Sequence, residues 1–90
     1  MKPFAWDKDK NDKLTGERSI SFEEIQVAMA DGKLLDILNH PNQKRYPKQR
    51  MFVVEIEDYV YIVPFAEGDE KIFLKTIYPS RTATKKYLKK

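Results

Sequence analysis

Side chains that could bind a phosphate or transfer a proton are few in this chain. His40 is its only histidine, and because a histidine ring titrates near neutrality it is a candidate general acid or base. An arginine suits a phosphate because its planar guanidinium binds two oxygens at once. The remaining candidates for a catalytic role are Arg50, Glu55, Lys75 and Arg81. The three cations among them are all compatible with phosphate contact.

Each candidate also has an ordinary structural role. A histidine in an Asn-His-Pro turn more often bonds its own backbone than takes part in catalysis, and His40 lies in such a turn. Glu55 could be an edge carboxylate paired with Lys75 across a sheet. Tyr61 could stack on a base or lend its hydroxyl, although aromatic residues at such positions usually serve packing. Both roles stay open for each residue.

Positive charge is gathered in two runs that contain no acid, within a formal net charge of +3. One run is Asn42–Arg50 and the other is Arg81–Lys90. Basic patches beside a sheet indicate a polyanion such as RNA, or an acidic protein partner. The C-terminal lysines could instead solubilise the chain and complement a helix dipole. Candidate RNA contacts are Lys44, Arg45, Lys48, Tyr61, Lys85 and Lys86.

Length and composition exclude several classes of protein. Ninety residues predict one domain, 1–90, that can bury a modest core. The absence of cysteine excludes disulfides and thiolate ligands, and a single histidine argues against a metal site. We expect no cofactor. No stretch has the pattern of a signal peptide or a membrane span, so we expect a cytoplasmic protein without a membrane partner.

Three apolar runs rich in β-branched and aromatic residues predict an antiparallel meander: Met51–Ile56, Tyr59–Phe65 and Ile72–Ile77. The two-residue connector Glu57-Asp58 is tight enough to force a hairpin. Alternation leaves no strand cleanly polar on one side, so we expect helices on one face and a semi-polar surface on the other. Pro64 lacks an amide donor, which makes a regular, central ladder position unfavourable.

The predicted helices begin at recognisable caps. Ser21-Phe-Glu-Glu24 is a capping box that opens a helix with an apolar stripe of Phe22, Ile25, Ala28 and Met29. Asp7 caps a shorter helix that ends near Thr15-Gly16, and Ser80 caps a final helix, Arg81–Leu88. Lys33–Leu38 is extended or helical, and a long basic loop follows it. The predicted fold class is α+β: a small antiparallel meander packed on N-terminal helices, with a C-terminal helix.

Several blocks in this order resemble a known family. They are Phe4-Ala-Trp-Asp7, then Asn11 and Lys13, then Ile20-Ser-Phe-Glu-Glu24, the meander, and Pro79-Ser-Arg-Thr-Ala-Thr-Lys-Lys-Tyr87. Together they are similar to the BrnT family, the toxin halves of type II toxin-antitoxin modules, which have a RelE-like fold. The resemblance implies a ribonuclease toxin held inactive by a small cognate antitoxin, usually a ribbon-helix-helix protein. DNA would then be contacted only indirectly, through the antitoxin.

The resemblance also gives the candidate residues a reaction. Metal-independent RNA cleavage by a 2′-hydroxyl needs two proton transfers and cations that stabilise the charge on the phosphorane. The family commonly has a histidine where this chain has Arg18. A noncatalytic RNA- or protein-binding module is therefore the alternative hypothesis. A third is a regulatory protein that binds an acidic partner through its C-terminal lysines.

Overall fold

The computed structural model describes residues 2–89 and confirms the α+β fold class. Lys90, the last residue of the second basic run, lies outside them. The helices within this range are α1 (Lys8–Arg18), α2 (Phe22–Ala30) and α3 (Arg81–Leu88). The strands are β1 (Phe4–Ala5), β2 (Leu34–Asn39), β3 (Gln49–Ile56), β4 (Tyr59–Glu67), β5 (Ile72–Leu74) and β6 (Tyr78–Pro79). No helix in this range is long and apolar enough to cross a membrane.

One sheet contains all six strands, in the order β1-β5-β4-β3-β2, with β6 beside β4. The predicted meander of β3, β4 and β5 is confirmed, and β1 adds to it in parallel. Glu57 and Asp58 have φ of 51° and 64°, as a two-residue hairpin turn requires. The third run is shorter than predicted, because its strand ends at Leu74. We call the two ends of the sheet the hairpin end, at Glu57-Asp58, and the loop end, where β2 connects to β3.

Local capping signals predicted the helix starts correctly. Ser21 accepts a hydrogen bond from the Glu24 amide, and Ser80 accepts one from the Ala83 amide. Asp7 caps α1, although α1 continues through Gly16 and ends at Arg18, two residues beyond the predicted end. The left-handed Ser19 closes it. The cap residues therefore set the starts, whereas the end of α1 was not evident from its glycine.

Helices cover both faces of the sheet, so the predicted semi-polar face is wrong. The main core lies between the sheet and α1 and α2: Leu14, Ile20, Phe22, Ile25, Phe52, Val54, Val63, Phe65, Ile72, Leu74 and Ile77. A second core lies under α3, where Val53, Val60, Ile62 and Ala83 are buried beside Leu38, Met51 and Tyr87. Mixed side chains on both faces were thus the signature of a sheet buried on both sides.

Hydrogen bonds from buried polar groups hold α3 on the second face. The Val60 amide donates to Thr84 Oγ1 over 2.9 Å, and Thr84 is buried. The Tyr87 hydroxyl donates to Asp36 Oδ2 at 2.7 Å, which lowers the pKa of Asp36 and raises that of Tyr87. These bonds join α3 to β4 and to β2. The helix predicted from Ser80 therefore closes the sheet rather than standing apart from it.

Pro64 lies in the central strand, contrary to the sequence argument. It pairs with Met51 of β3, and on its other side its carbonyl accepts from the Lys75 amide at 2.8 Å. That side is where β5 has ended and β6 has not begun. Since the N and O of one residue in a strand point the same way, the missing donor of Pro64 falls in this gap. A proline is tolerated there because the ladder needs no donor at that position.

Asn11 joins the first two helices through a buried side chain. Its Oδ1 accepts from the Phe22 amide at 2.8 Å, and its Nδ2 donates to Glu23 Oε1 at 2.7 Å. The Phe22 amide opens α2, so it has no partner within that helix. Asn11 supplies the partner and fixes α1 against α2.

We expect Asn11→Ala to lower the free energy of unfolding by about 1–3 kcal/mol, because the buried Phe22 amide would lose its acceptor. Urea denaturation followed by circular dichroism measures the loss. Lys13→Ala, on the exposed side of α1, is the control. Equal losses in the two variants would contradict the structural role of Asn11.

Candidate nucleic-acid interface

The register of the sheet places Arg50 on a platform of aromatic rings at the loop end. Arg50 pairs with Phe65 of β4 and shares a face with Phe52. The Phe52 and Phe65 rings stack with centroids 3.9 Å apart at 10°. The Arg50 guanidinium carbon lies 5.4 Å from the Phe65 centroid. Packing against a buried ring holds this cation in place, and cation–π attraction adds to the packing.

One carboxylate holds two cations beside this platform. Arg50 Nη2 donates to Glu67 Oε1 at 2.8 Å, and Lys2 Nζ donates to Glu67 Oε2 at 3.0 Å. Lys2 also donates to the Gly68 carbonyl. The bond from Lys2, followed by that from Arg50, lowers the pKa of Glu67, so this carboxyl is ionised at neutral pH. Each carboxylate oxygen of Glu67 therefore binds one cation.

An open cleft surrounds this group, which we call the cationic cleft. It consists of two adjoining cavities of about 300 and 320 Å³ that share Lys2, Arg50 and Glu67. Lys48 and Asp69 line one cavity, while Phe52, Phe65 and two isoleucines line the other. The cleft thus combines three cations and two carboxylates with an apolar wall. The cations suit a ligand that carries phosphate, whereas the rings of Phe52 and Phe65 are each only 1% exposed and belong to the core.

The loop of residues 40–48 presents further cations next to the cleft. Lys44, Arg45 and Lys48 are exposed on it, and Arg45 lies 5.6 Å from the Tyr46 ring centroid. Turn bonds give the loop a defined form, because the Tyr46 amide donates to the Asn42 carbonyl and the Gln49 amide to that of Tyr46. The predicted contacts Lys48 and Arg50 therefore meet in the cleft, with Lys44 and Arg45 on the same loop.

His40 bonds the backbone of its own turn, which is the commoner role of a histidine in an Asn-His-Pro sequence. Its Nδ1 accepts from the Asn42 amide at 3.0 Å, and its ring lies 4.5 Å from that of Tyr46. Its own amide donates to the Gln49 carbonyl, at the start of β3. In the neutral ring the proton is then on Nε2. His40 shapes the loop beside the cleft but does not line it.

Arg50, Lys75 and Arg81, the three candidate cations for phosphate contact, do not line one cleft. The cationic cleft includes neither Lys75 nor Arg81. Arg81 opens α3 next to Ser80, whose amide donates to the Val60 carbonyl. Val60 is five residues along β4 from Phe65, about 17 Å, and α3 packs on the other face. Lys85 and Lys86 are exposed on α3 and do not line the cleft.

Glu55 and Tyr61 also lie away from the cleft. Glu55 is opposite Val60, whereas the Lys75 amide bonds to Pro64, so the predicted pair of Glu55 and Lys75 is wrong. Tyr61 packs half-buried against the main core, and its ring lies 6.0 Å from that of Tyr59. Its position favours the packing role over base stacking. Neither side chain lies within reach of Arg50.

Sequence reasoning missed Lys2, Glu67 and the paired phenylalanines. Lys2 and Glu67 are 65 residues apart in the chain and meet only because β1 joins β5 and β5 joins β4. The alternation of Phe52 and Phe65 was visible, but their stacking depends on the β3–β4 register. Arg18, at the position where the BrnT family that the sequence resembles commonly has a histidine, donates to the Ile77 carbonyl at 2.5 Å. It is thus a structural residue that holds the segment between β5 and β6.

We expect Glu67→Gln to lower the melting temperature at pH 7, because Lys2 and Arg50 would lose their shared counter-charge. A carboxyl with a lowered folded pKa stabilises the fold above its unfolded pKa, about 4.3, and that stabilisation is lost as pH falls through the folded value. The gap in melting temperature between the variant and the parent should therefore narrow as pH falls below about 4.3 and close below the folded pKa of Glu67. Melting curves from pH 3 to pH 8 measure this gap.

Glu70→Gln is the matched control, because Glu70 is exposed in the next turn. It should melt with the parent at every pH. If the melting temperature of Glu67→Gln stays below that of the parent by a constant amount down to pH 3, Glu67 does not stabilise the fold through charge pairing.

Comparisons with known proteins do not assign this chain to a family. No protein-family model, no curated protein and no solved structure matches the chain. Its function is therefore argued from its own residues and from the resemblance of its motifs.

Proposed function

We propose that this chain is the toxin of a type II toxin-antitoxin pair and that it binds RNA in the cationic cleft. It would act in the cytoplasm, cleave RNA without a metal ion and so inhibit translation, until a small antitoxin neutralises it. The sequence blocks that resemble the BrnT family support the toxin assignment. The cleft supports the RNA, because it gathers three cations of the kind that bind backbone phosphates.

The observation that carries the proposal is the arrangement of Arg50, Lys2 and Glu67. A phosphate has the charge and the oxygen spacing to replace the Glu67 carboxylate between the two cations. Lys48 would bind the next phosphate.

Within this proposal Arg50 and Lys2 stabilise the transition state. Attack of the 2′-oxygen on phosphorus forms a cyclic phosphate, expels the 5′-oxygen of the next nucleotide and gathers negative charge on the phosphorane. Glu67 is the carboxylate that Arg50 binds, but its lowered pKa makes it a weak base. Electrostatic stabilisation would supply more of the rate than proton transfer.

We expect Arg50→Gln to weaken binding of a fluorescein-labelled 12-nucleotide RNA by roughly 10- to 150-fold, because a charge-assisted bond to phosphate contributes about 1.5–3 kcal/mol. The log–log slope of affinity against salt should also fall by about 0.7 for each phosphate that the variant no longer neutralises. Fluorescence anisotropy measures both. Arg81→Gln and Lys85→Gln are matched controls on α3 and should bind as the parent does. Equal weakening by all three would place the RNA elsewhere.

A noncatalytic RNA-binding module is the second candidate. The observation in its favour is that His40, Glu55, Lys75 and Arg81 do not line the cleft, so its described lining residues include no histidine, the side chain that most often transfers protons in catalysis. Such a module would bind RNA through the same three cations. Only an assay of cleavage separates the two candidates.

Incubation of the purified chain with RNA in EDTA decides between them. The toxin proposal predicts fragments that end in a 2′,3′-cyclic phosphate, detected by mass spectrometry, together with growth arrest on expression. Arg50→Gln should abolish both, whereas Arg81→Gln should retain them. RNA that is bound but stays intact would favour the module. Copurification of a coexpressed small neighbouring protein tests the antitoxin.

A further inference from the structure

A shallow apolar groove lies at the hairpin end, between α2 and the last residues of β3. We call it the α2–β3 groove, and its volume is about 400 Å³. Its floor consists of Val27, Ala28 and Ile56. Val27 is 61% exposed, the highest fraction among the large hydrophobic residues that the structure describes. An apolar side chain left this open on a helix is available for contact with another molecule.

The rim of this groove is strongly acidic. Five carboxylates and one ammonium group, that of Lys33, surround the floor, which is a formal charge of −4 on a chain whose net charge is +3. The carboxylates come from both elements: Glu23, Glu24, Asp31, Glu55 and Glu57. Asn11 donates a hydrogen bond to Glu23 and lowers its pKa, so this group keeps its charge at neutral pH. Negative charge is thus concentrated around exposed apolar surface.

This chemistry selects the class of ligand. A rim of −4 repels RNA and anionic lipid headgroups. Among residues 2–89, no group of three or more acidic or histidine side chains is placed to hold a metal ion. An apolar floor within carboxylates instead complements a segment that carries both an apolar stripe and lysines or arginines. Between Glu24 and Asp31 the wall is about 10 Å long, which is two turns of a helix.

We propose that the α2–β3 groove binds a cationic amphipathic helix of a partner protein. An aliphatic side chain of that helix would cover Val27, and its flanking lysines or arginines would pair with Glu55 and Glu57. The groove is separate from the cationic cleft, because Glu55 lies five residues along β3 from Arg50, about 17 Å. The proposal goes beyond the RNA function, and one chain could hold RNA and this partner together.

The test uses a fluorescein-labelled synthetic helix of 15 residues with leucines at i, i+3, i+4 and i+7 and lysines on the flanks. Fluorescence anisotropy should give a dissociation constant in the micromolar range that weakens as salt rises, as exposed ion pairs require. Amide chemical-shift mapping should place the changes at residues 23–31 and 55–57. A helix with glutamates in place of the lysines is the control ligand and should not bind.

Two variants of the chain separate the floor from the rim. Glu55→Gln combined with Glu57→Asn keeps a residue that tolerates the left-handed turn and should weaken binding about fivefold, at roughly 0.5 kcal/mol for each exposed pair. Val27→Lys should abolish binding. Glu70→Gln, at the loop end, should bind as the parent does. All these positions are exposed or half-exposed, so circular dichroism should show folded variants.

Several outcomes would overturn the proposal. The first is that the cationic helix does not bind at a concentration of about 100 μM, which is 100-fold above a micromolar dissociation constant. The second is that the acidic control helix binds equally well. The third is that the double variant binds the cationic helix with the affinity of the parent. Self-association of the parent that Val27→Lys abolishes would instead make a second copy the occupant. Weaker RNA binding by the double variant would show that RNA is the occupant of the groove. Arg50→Gln should lose RNA binding and keep peptide binding. The RNA proposal for the cationic cleft and the helix proposal for the α2–β3 groove can therefore fail separately.

Discussion

The central strand β4 has both of its faces buried, and the rest of the molecule is arranged around that constraint. Val63 and Phe65 point into the main core, while Val60 and Ile62 lie under α3. A sheet closed on both sides offers no face to a ligand. Side chains that bind must therefore project from the ends of the strands or from the outer surfaces of the helices. Both sites described above lie at such ends, the cationic cleft at one and the α2–β3 groove at the other.

The outer edge of β4 is divided at Pro64, and this division lets the chain change faces. β5 pairs with one half of that edge and β6 with the other. The intervening segment buries Ile77 completely and is held by Arg18 at the Ile77 carbonyl and by the Lys75 amide at Pro64. From there the chain enters α3 on the second face. An arginine suits this position because its guanidinium reaches across from α1 to a carbonyl in a neighbouring segment, whereas a histidine is shorter.

Positive and negative side chains are concentrated at opposite ends of the sheet. The loop end gathers the cations of the 40–48 loop with Lys2 and Arg50, and the hairpin end gathers the carboxylates around Val27. At physiological ionic strength the Debye length is about 8 Å, shorter than the distance of about 17 Å between Arg50 and Glu55. Each end therefore presents its own potential to the solvent. This separation would allow the proposed RNA and the proposed cationic helix to bind one small domain without competing.

The sequence by itself determined the elements with local causes. Ser21, Ser80 and Asp7 set the helix starts through bonds to amides three residues away, and the connector at Glu57 set the hairpin through its length. Only the tertiary structure decided which surfaces those elements cover and which charges meet. The α3 helix hides a face whose pattern alone looked semi-polar, and Arg50 meets Glu67 and Lys2 through strand pairings between distant segments. The physical reason is range: caps and turns act over a few residues, whereas register and packing join residues that the chain order keeps apart.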